Sequence, residues 1–282
     1  MLLLTGSTGN IGRELTRALI ASGTEFRVLV RDPARATALP AHIERRVGDL
    51  EDPDAVARAL DGVTALFLLV PGTGVDHTRH AVKAAQEAGL RRIVLLSSAY
   101  AVGDPVPAMG RWHHAREELL AESGVPHTIL RPGALMSNVL EWAPAVRAGL
   151  PLMDPTGPGR AFPVDPADIA AVAAQALTTT SSESAGYTLT GAESFTFAGQ
   201  VAALGRELGR DIAIRTAATP EEAISARFPN GAPPALAAAI LESFIALRSD
   251  TEGLHTDTVA TLLGRPPRTF AEWCDAHRAA FE

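Results

Sequence analysis

The first twelve residues constrain the fold of this chain more than any other stretch. An apolar run, Leu2 to Leu4, leads into the motif TGSTGNIG, which places glycines at Gly6, Gly9 and Gly12. The segment from Ile11 to Ile20 then carries apolar residues at helical spacing, so the glycines are predicted to lie at a strand-to-helix turn. Because glycine has no Cβ, such a turn lets the backbone approach an anion at the positive end of a helix dipole. The turn therefore favours a phosphate-containing ligand.

The residues after the turn supply the context that a nucleotide-binding motif requires. A second strand is predicted at Phe26 to Val30, which completes a strand–helix–strand unit. Turns rich in Gly, Ser and Asn also occur without any ligand, and that alternative stays open for this one. We predict contacts with a dinucleotide pyrophosphate from the turn and the start of the helix, namely Gly6, Ser7, Thr8, Gly9, Asn10, Ile11 and Gly12.

Two longer stretches carry a family resemblance. TGSTGNIG resembles the short-chain dehydrogenase/reductase superfamily, in particular its extended and atypical members. The stretch from His113 to Asn138, HHAREELLAESGVPHTILRPGALMSN, resembles the atypical branch of NmrA-like regulators, NAD(P)H quinone oxidoreductases and triphenylmethane reductase. The resemblance spans nearly the whole chain. It implies an α/β fold, a Rossmann doubly wound parallel sheet with a smaller C-terminal substrate-binding subdomain.

The end of the second strand bears on the choice of dinucleotide. Arg31 follows this strand directly and Arg35 can lie on the next turn, where an acidic residue would instead bond the ribose 2′-hydroxyl of NAD. We predict that the two arginines bind the 2′-phosphate, so that NADP(H) is preferred over NAD(H). Asp32 leaves the alternative of a solvated loop with an Arg–Asp pair.

The ends of the other predicted strands supply further cofactor candidates. By resemblance, Asp49 and Leu50 lie near the adenine, although Asp49 is also a suitable turn or capping residue. The strand Ala65 to Val70 ends in a loop at the carboxyl edge of the sheet, where such folds bind ligands. The candidates from the later strand ends are Val70, Pro71, Ser97 and, by resemblance, Pro132.

The usual catalytic pair of the superfamily is missing. Ordinary members have Tyr-x-x-x-Lys here, whereas by the resemblance Met109 takes the tyrosine position and His113 the lysine position. We predict that His113 chiefly positions the nicotinamide ribose. Ser98, Tyr100 and, as a lesser option, His113 are the candidate proton donors.

The resemblance also divides the chain into domains. It implies an NAD(P)-binding domain over residues 1–190, with a cap insertion near 136–165, and a substrate cap over residues 191–282. One polar side chain and three large apolar ones, in the cap and its surroundings, are the candidates for substrate contact, although most aromatic and Met residues fill cores. They are Asn138, Met136, Trp112 and Trp142.

Composition and the remaining motifs exclude several classes. The chain has 282 residues and a net charge of −7, which disfavours nucleic acid or an anionic membrane as partner. Cys274 is the only cysteine, so an intrachain disulfide and a zinc site of several thiolates are excluded. Adjacent histidines on a helix point apart, and we expect no metal site at His113 and His114. No apolar run reaches the length of a membrane span, and we expect a cytoplasmic protein.

Three functions remain. The first is an NAD(P)H-dependent reductase of a small conjugated carbonyl, quinone-like or natural-product substrate, which the histidine at the lysine position and the aromatic cap favour. The second is a non-catalytic NmrA-like redox sensor that binds a dinucleotide and a protein partner. The third is a tailoring or isomerising enzyme on the same fold. No Gly-x-Ser-x-Gly and no Walker A lysine is present, so hydrolase and NTPase functions are excluded.

Overall fold

The structure, a computed structural model, describes residues 1–37, 39–228 and 231–282. The chain divides into two compact units. Unit 1 comprises Met1–Val102, Gly110–Pro132 and Pro166–Thr188. Unit 2 comprises Gly103–Met109, Gly133–Asp165 and Leu189–Glu282. None of the described helices is both long enough and apolar enough to cross a membrane.

Strands and helices alternate through unit 1, and helices dominate unit 2. The strands are β1 (Leu2–Thr5), β2 (Phe26–Val30), β3 (Glu44–Val47), β4 (Ala65–Leu68), β5 (Arg92–Leu96), β6 (His127–Pro132), β7 (Leu152–Asp154), β8 (Ala185–Leu189) and β9 (Ile214–Thr216). The helices are α1 (Asn10–Ala21), α2 (Pro53–Leu60), α3 (Asp76–Glu87), α4 (Arg111–Ala121), α5 (Ala143–Arg147), α6 (Pro166–Thr178), α7 (Phe197–Leu208), α8 (Pro220–Arg227), α9 (Pro234–Ser249), α10 (Thr258–Leu263) and α11 (Phe270–Ala276).

The main sheet has the strand order β3-β2-β1-β4-β5-β6-β8. Neighbouring strands from β3 to β6 pair in parallel. The chain proceeds from β1 outward to β3, then returns to β4 on the other side of β1. The order therefore reverses between β1 and β4, and the crevice beyond the carboxyl ends of these strands is where such sheets bind ligands. The predicted doubly wound Rossmann sheet is confirmed.

Continuous burial of the central strands fits this arrangement. All residues of β1 and β4 are buried, as expected for parallel strands covered on both faces. The hydroxyl of Thr5, at the end of β1, donates to the Leu69 carbonyl at 2.9 Å and accepts from the Leu69 N–H at 2.8 Å. These bonds fasten the ends of β1 and β4 to each other at the crevice.

Some predicted boundaries shift by a few residues. The fourth strand ends at Leu68 rather than Val70, because Leu69 bonds to the Thr5 side chain instead of continuing the ladder. The first helix extends over Asn10–Ala21 rather than Ile11 to Ile20.

Unit 2 has its own core and a small sheet. Strands β7 and β9 pair in parallel, with Leu152 opposite Ile214. Helices α7 and α11 supply much of the core, in which Phe270, Trp273 and Cys274 are at most 1% exposed. A capping box starts α11: the Thr269 hydroxyl accepts from the backbone N–H of Glu272, whose carboxylate accepts from the Thr269 N–H.

Candidate active site

The glycine turn has a backbone that side chains would disrupt at two positions. Gly6 has a φ of +68°, and a Cβ added there would lie 2.9 Å from Leu69 Cδ1. A Cβ on Gly12 would lie 2.1 Å from the Gly6 carbonyl oxygen. The N–H of Gly9 donates to that same oxygen at 3.0 Å, which closes the turn. The turn packs tightly against the first turn of α1, whose leading N–H groups lack intrahelical partners.

A cavity of about 240 Å³ opens at the turn, on the carboxyl side of β1, β2 and β4. It brings together many of the predicted cofactor residues. Its lining includes Gly6, Ser7, Thr8, Gly9, Arg31, Asp49, Leu50 and Pro71. The Ser7 hydroxyl is buried and has no hydrogen-bond partner among the described residues. A buried donor left unpaired beside a glycine turn and a helix N-terminus fits a phosphate-bearing ligand.

Three predicted residues of the turn region are not among the residues that line the cavity. Asn10, Ile11 and Gly12 form the first turn of α1, and Ile11 is 5% exposed. Ile11 and Gly12 are buried there, whereas Asn10 is exposed.

Charged side chains occupy the end of the cavity near β2. Arg31 Nε lies 3.8 Å from Asp49 Oδ2, and the Arg31 side chain is 65% exposed. The Asp32 carboxylate accepts from the Ala34 N–H at 2.9 Å and so caps the short 3₁₀ turn Pro33–Ala36. Asp32 also lines the cavity, so the acidic and the basic residue at this strand end both lie at the site. The side chain of Arg35 lies outside the described part of the structure.

Asp49 lies at the cavity and also stabilises a turn of the backbone. It lines the cavity, and its Oδ1 accepts from the Glu51 N–H at 3.1 Å in the turn that follows β3. The cap of α2 is instead Asp52, which accepts from two backbone N–H groups of that helix.

Ser97 and Ser98, which follow β5, have partners within unit 1. The Ser97 hydroxyl bonds to Glu117 Oε1 on α4. Glu117 is in turn held by Arg131, whose Nη2 lies 2.6 Å from Oε2. Ser98 Oγ accepts from the Tyr100 N–H at 3.2 Å and caps a 3₁₀ turn. The structure thus places the Ser97 hydroxyl in a buried ion-pair network.

His113, on the first turn of α4, is largely buried. Its Nδ1 has no hydrogen-bond partner among the described residues. Burial first, and then the positive charge of Arg116, lower the pKa of the His113 imidazole to about 4, against the opposing effect of Glu117. His113 is therefore neutral near pH 7. A neutral imidazole offers one donor and one acceptor for hydrogen bonds but is not a charged acid.

Sequence reasoning missed Arg116, which is 2% exposed and lies near His113 on α4. Its guanidinium donates to backbone carbonyls of the loop after β4, including that of Val70 at 3.3 Å and that of Gly72 at 2.7 Å. The signal available in the sequence was the i,i+3 spacing from His113, which puts the two side chains on the same side of a helix.

The predicted substrate residues fall in different places. Asn138 and Trp142 line a cavity of about 880 Å³ within unit 2, together with Phe197, Phe228 and Phe244. Met136 is 1% exposed and belongs to the core of that unit, not to the cavity lining.

The other candidates lie in unit 1. Trp112 is half-buried, with its ring centroid 6.3 Å from that of His113. Pro132 is buried at the end of β6. Within the described ranges no group of three or more His, Cys, Asp and Glu residues could hold a metal ion.

Comparison with known proteins agrees with this geometry. The NAD(P)H-binding family model matches residues 6–180. An NAD(P)H azoreductase from Xenophilus azovorans is 37% identical over 284 residues, which cover 100% of this chain and 99% of that protein. A reductase from Streptomyces griseus, named for (4-alkanoyl-5-oxo-2,5-dihydrofuran-3-yl)methyl phosphate, is 36% identical and covers 100% of this chain and 99% of its own length.

A solved structure is similar over its whole length. The crystal structure of an NADPH-dependent quinone oxidoreductase from Escherichia coli, in complex with NADPH, matches with a TM-score of 0.84 and 29% identity. The match covers 98% of this chain and 99% of that one. As the resemblance of its motifs predicts, the chain belongs to the NAD(P)H-binding family, in its atypical short-chain reductase branch, and is an NAD(P)H-dependent oxidoreductase.

Proposed function

We propose that this chain uses NADPH to reduce quinones and similar flat, conjugated acceptors. The observation that carries the proposal is the state of His113, which by resemblance takes the place of the superfamily lysine and is half-buried and neutral. With Met109 at the tyrosine position, the ordinary route for protonating an alkoxide is missing. An acceptor that spreads the arriving charge over its own conjugated atoms needs that acid least.

We assign the cavity in unit 1 to the cofactor. When bound, the dinucleotide supplies a hydride. The backbone of the glycine turn and the buried Ser7 hydroxyl bind its pyrophosphate. Asp49 and Leu50 hold the adenosine end, and Arg31, at the rim, binds the 2′-phosphate. His113 donates a hydrogen bond to a ribose hydroxyl, which gives its unpaired nitrogen a role.

We assign the cavity in unit 2 to the acceptor. Its aromatic lining suits a planar ring system, and the Trp142 and Phe197 rings already pack with centroids 4.8 Å apart. Asn138 is exposed and offers both a donor and an acceptor to a carbonyl-bearing ligand. In the predicted domains, residues 1–190 then serve the cofactor, and the insertion near 136–165 with residues 191–282 serves the acceptor.

Consumption of NADPH at 340 nm tests the function. Benzoquinone, naphthoquinone and cyclohexanone are compared as acceptors. We expect the quinones to be reduced at least ~100-fold faster than the ketone, which corresponds to a difference of about 2.7 kcal/mol in the activation free energy. Efficient reduction of cyclohexanone with no turnover of quinones would refute the mechanism. A wild type that reduces neither the quinones nor the ketone, and that binds a protein partner differently with NADP and with NADPH, would favour the sensor alternative.

Two variants test the acceptor cavity. Trp142→Ala should raise KM for the quinone without changing the Kd for NADPH. Phe162→Ala is the matched control, since Phe162 is a half-buried aromatic of the same unit that packs on His255 at 4.6 Å and is not among the cavity-lining residues. Equal effects of both substitutions on KM would mean that the acceptor does not bind in this cavity.

The cofactor preference has a separate test. Arg31→Asp should reverse the preference for NADPH, since the wild-type contact is worth about 1.5 to 3 kcal/mol if it is charge-assisted, or roughly 10- to 100-fold in Kd. Arg58→Asp is the matched control: this arginine is 68% exposed, lies 3.8 Å from Asp52 and is not in the cavity lining. Equal affinity of the wild type for NADPH and NADH would contradict the assignment of Arg31.

A further inference from the structure

Arg116 is a buried cation whose hydrogen-bond acceptors, among the described residues, are all backbone carbonyls. Its Nε donates to the Gly74 carbonyl at 3.0 Å and its Nη1 to the Val70 carbonyl at 3.3 Å. Its Nη2 donates to the carbonyls of Gly72 at 2.7 Å and Gly74 at 2.8 Å, with that of Pro71 at 3.5 Å. One guanidinium therefore donates hydrogen bonds to four backbone carbonyls of a single five-residue loop, Val70 to Gly74.

This arrangement fixes the shape of the loop. Opening the loop would leave the guanidinium without hydrogen-bond acceptors. Because an unpaired buried charge is energetically costly, the closed shape of the loop is favoured. The planar fork of arginine presents five N–H donors in a fixed geometry that spans the loop, whereas the three donors of a lysine ammonium radiate from one nitrogen. Gly72 supports the same shape through its φ of +70°.

The loop lies beside the cofactor cavity. It follows β4 at the carboxyl edge of the sheet, and Pro71 lines the cavity with the residues of the glycine turn. The helix that carries Arg116 also carries His113. Arg116 thus connects a wall of the cavity to the helix that bears the candidate ribose contact.

We propose that Arg116 is a positioning residue for cofactor binding: it holds the loop from Val70 to Gly74 in the shape that forms one wall of the cavity before the cofactor arrives. The inference rests on the cofactor half of the proposed function and is independent of the acceptor. Arg116 acts through the loop and does not itself line the cavity.

Arg92 provides a matched control within unit 1. It is 3% exposed, and its guanidinium also bonds to backbone carbonyls, those of Ser181 and, at 3.1 Å, Glu183, as well as to the Thr128 hydroxyl at 2.8 Å. It is the first residue of β5 and so lies at the amino end of the parallel sheet, away from the cofactor edge.

The experiment compares Arg116→Lys with Arg92→Lys. Both variants lose a buried guanidinium, so both should unfold at lower urea concentration than the wild type. We expect Arg116→Lys to raise the Kd and the KM for NADPH about tenfold with kcat within about twofold, because the loop shapes the cavity and does not touch the reacting atoms. Arg92→Lys should leave the Kd within about twofold, since that site is remote from the cavity.

Two outcomes would overturn the inference. One is a folded Arg116→Lys protein whose Kd for NADPH stays within about twofold of the wild type, and the other is an equal rise in Kd in Arg92→Lys. A wild type that fails to bind NADPH at all would instead overturn the proposed function, and this inference with it.

A second measurement needs no variant. Backbone order parameters of Gly72, Thr73 and Gly74 in the cofactor-free wild type should be near 0.85, the value of rigid backbone. Values below about 0.6 that rise only when NADPH is added would show that the cofactor, not Arg116, orders the loop, and would overturn the inference even if Arg116→Lys does not fold.

Discussion

Replacement of Gly9 by aspartate should separate cofactor binding from folding. Gly9 is the N-cap of α1, with a φ of −81° and a ψ of 175°, a conformation open to any residue. A Cβ added there meets only the Gly6 carbonyl oxygen, at 3.4 Å. No side chain caps α1 in the wild type, and aspartate is a preferred N-cap residue. Gly9→Asp should therefore leave the free energy of unfolding unchanged or raise it by a few tenths of a kcal/mol.

The same carboxylate should strongly oppose the cofactor. It would lie where the turn and the helix dipole otherwise meet the pyrophosphate. Two like charges roughly 5 Å apart repel by about 3 kcal/mol at an effective dielectric constant of about 20. A penalty of that size raises the Kd at least ~100-fold. The prediction is a protein that is as stable as the wild type and does not bind NADPH.

Fluorescence titration with NADPH and urea unfolding measure the two effects on the same samples. Gly9→Asn is the control, because asparagine is nearly isosteric with aspartate and caps helices about as well but carries no charge. Unchanged NADPH affinity in a folded Gly9→Asp protein would mean that the turn does not bind the pyrophosphate. Equal losses in the Asp and Asn variants would assign the effect to side-chain bulk instead of charge.

Two further predictions concern buried titratable groups. Folded His113 stays neutral down to about pH 4, whereas the unfolded histidine takes up a proton near 6.5. The unfolded chain therefore binds more protons between these values and stability falls as the pH drops through this window, a loss that urea unfolding should find reduced in His113→Gln. A His113 resonance that titrates near pH 6.5 in the folded protein would contradict this. Burial, the largest cause, with the nearby Glu207 and Glu193, raises the pKa of the Cys274 thiol to about 12. Iodoacetamide should then modify Cys274 only in denaturant, and rapid labelling of native protein at pH 8 would show that the site is open.

The sequence by itself determined the sheet and the glycine turn at its carboxyl edge. Gly6 and Gly12 are required by the local backbone alone. Gly6 has a positive φ, and a Cβ on Gly12 would clash with the backbone of the turn, so almost no other residue fits at either position. The buried strands β1 and β4 could also be predicted from the sequence, because continuous apolar runs between helical segments are typical of parallel sheets. The family resemblance further predicts Met109 and His113 at the positions where ordinary members have the Tyr-x-x-x-Lys pair.

Only the tertiary structure decided what the polar side chains of unit 1 bind. Ser97 is 20 residues from Glu117, and Arg116 is 42 to 46 residues from the carbonyls that it gathers. The strand end at Ser97 suggested a cofactor contact, but its hydroxyl turns to the carboxylate of Glu117. Likewise Met136 reads as a candidate for substrate contact, but the core of unit 2 buries it. Spacing along the chain specifies the face of a helix or strand, whereas the partner that reaches that face from a distant segment is fixed only when the elements pack.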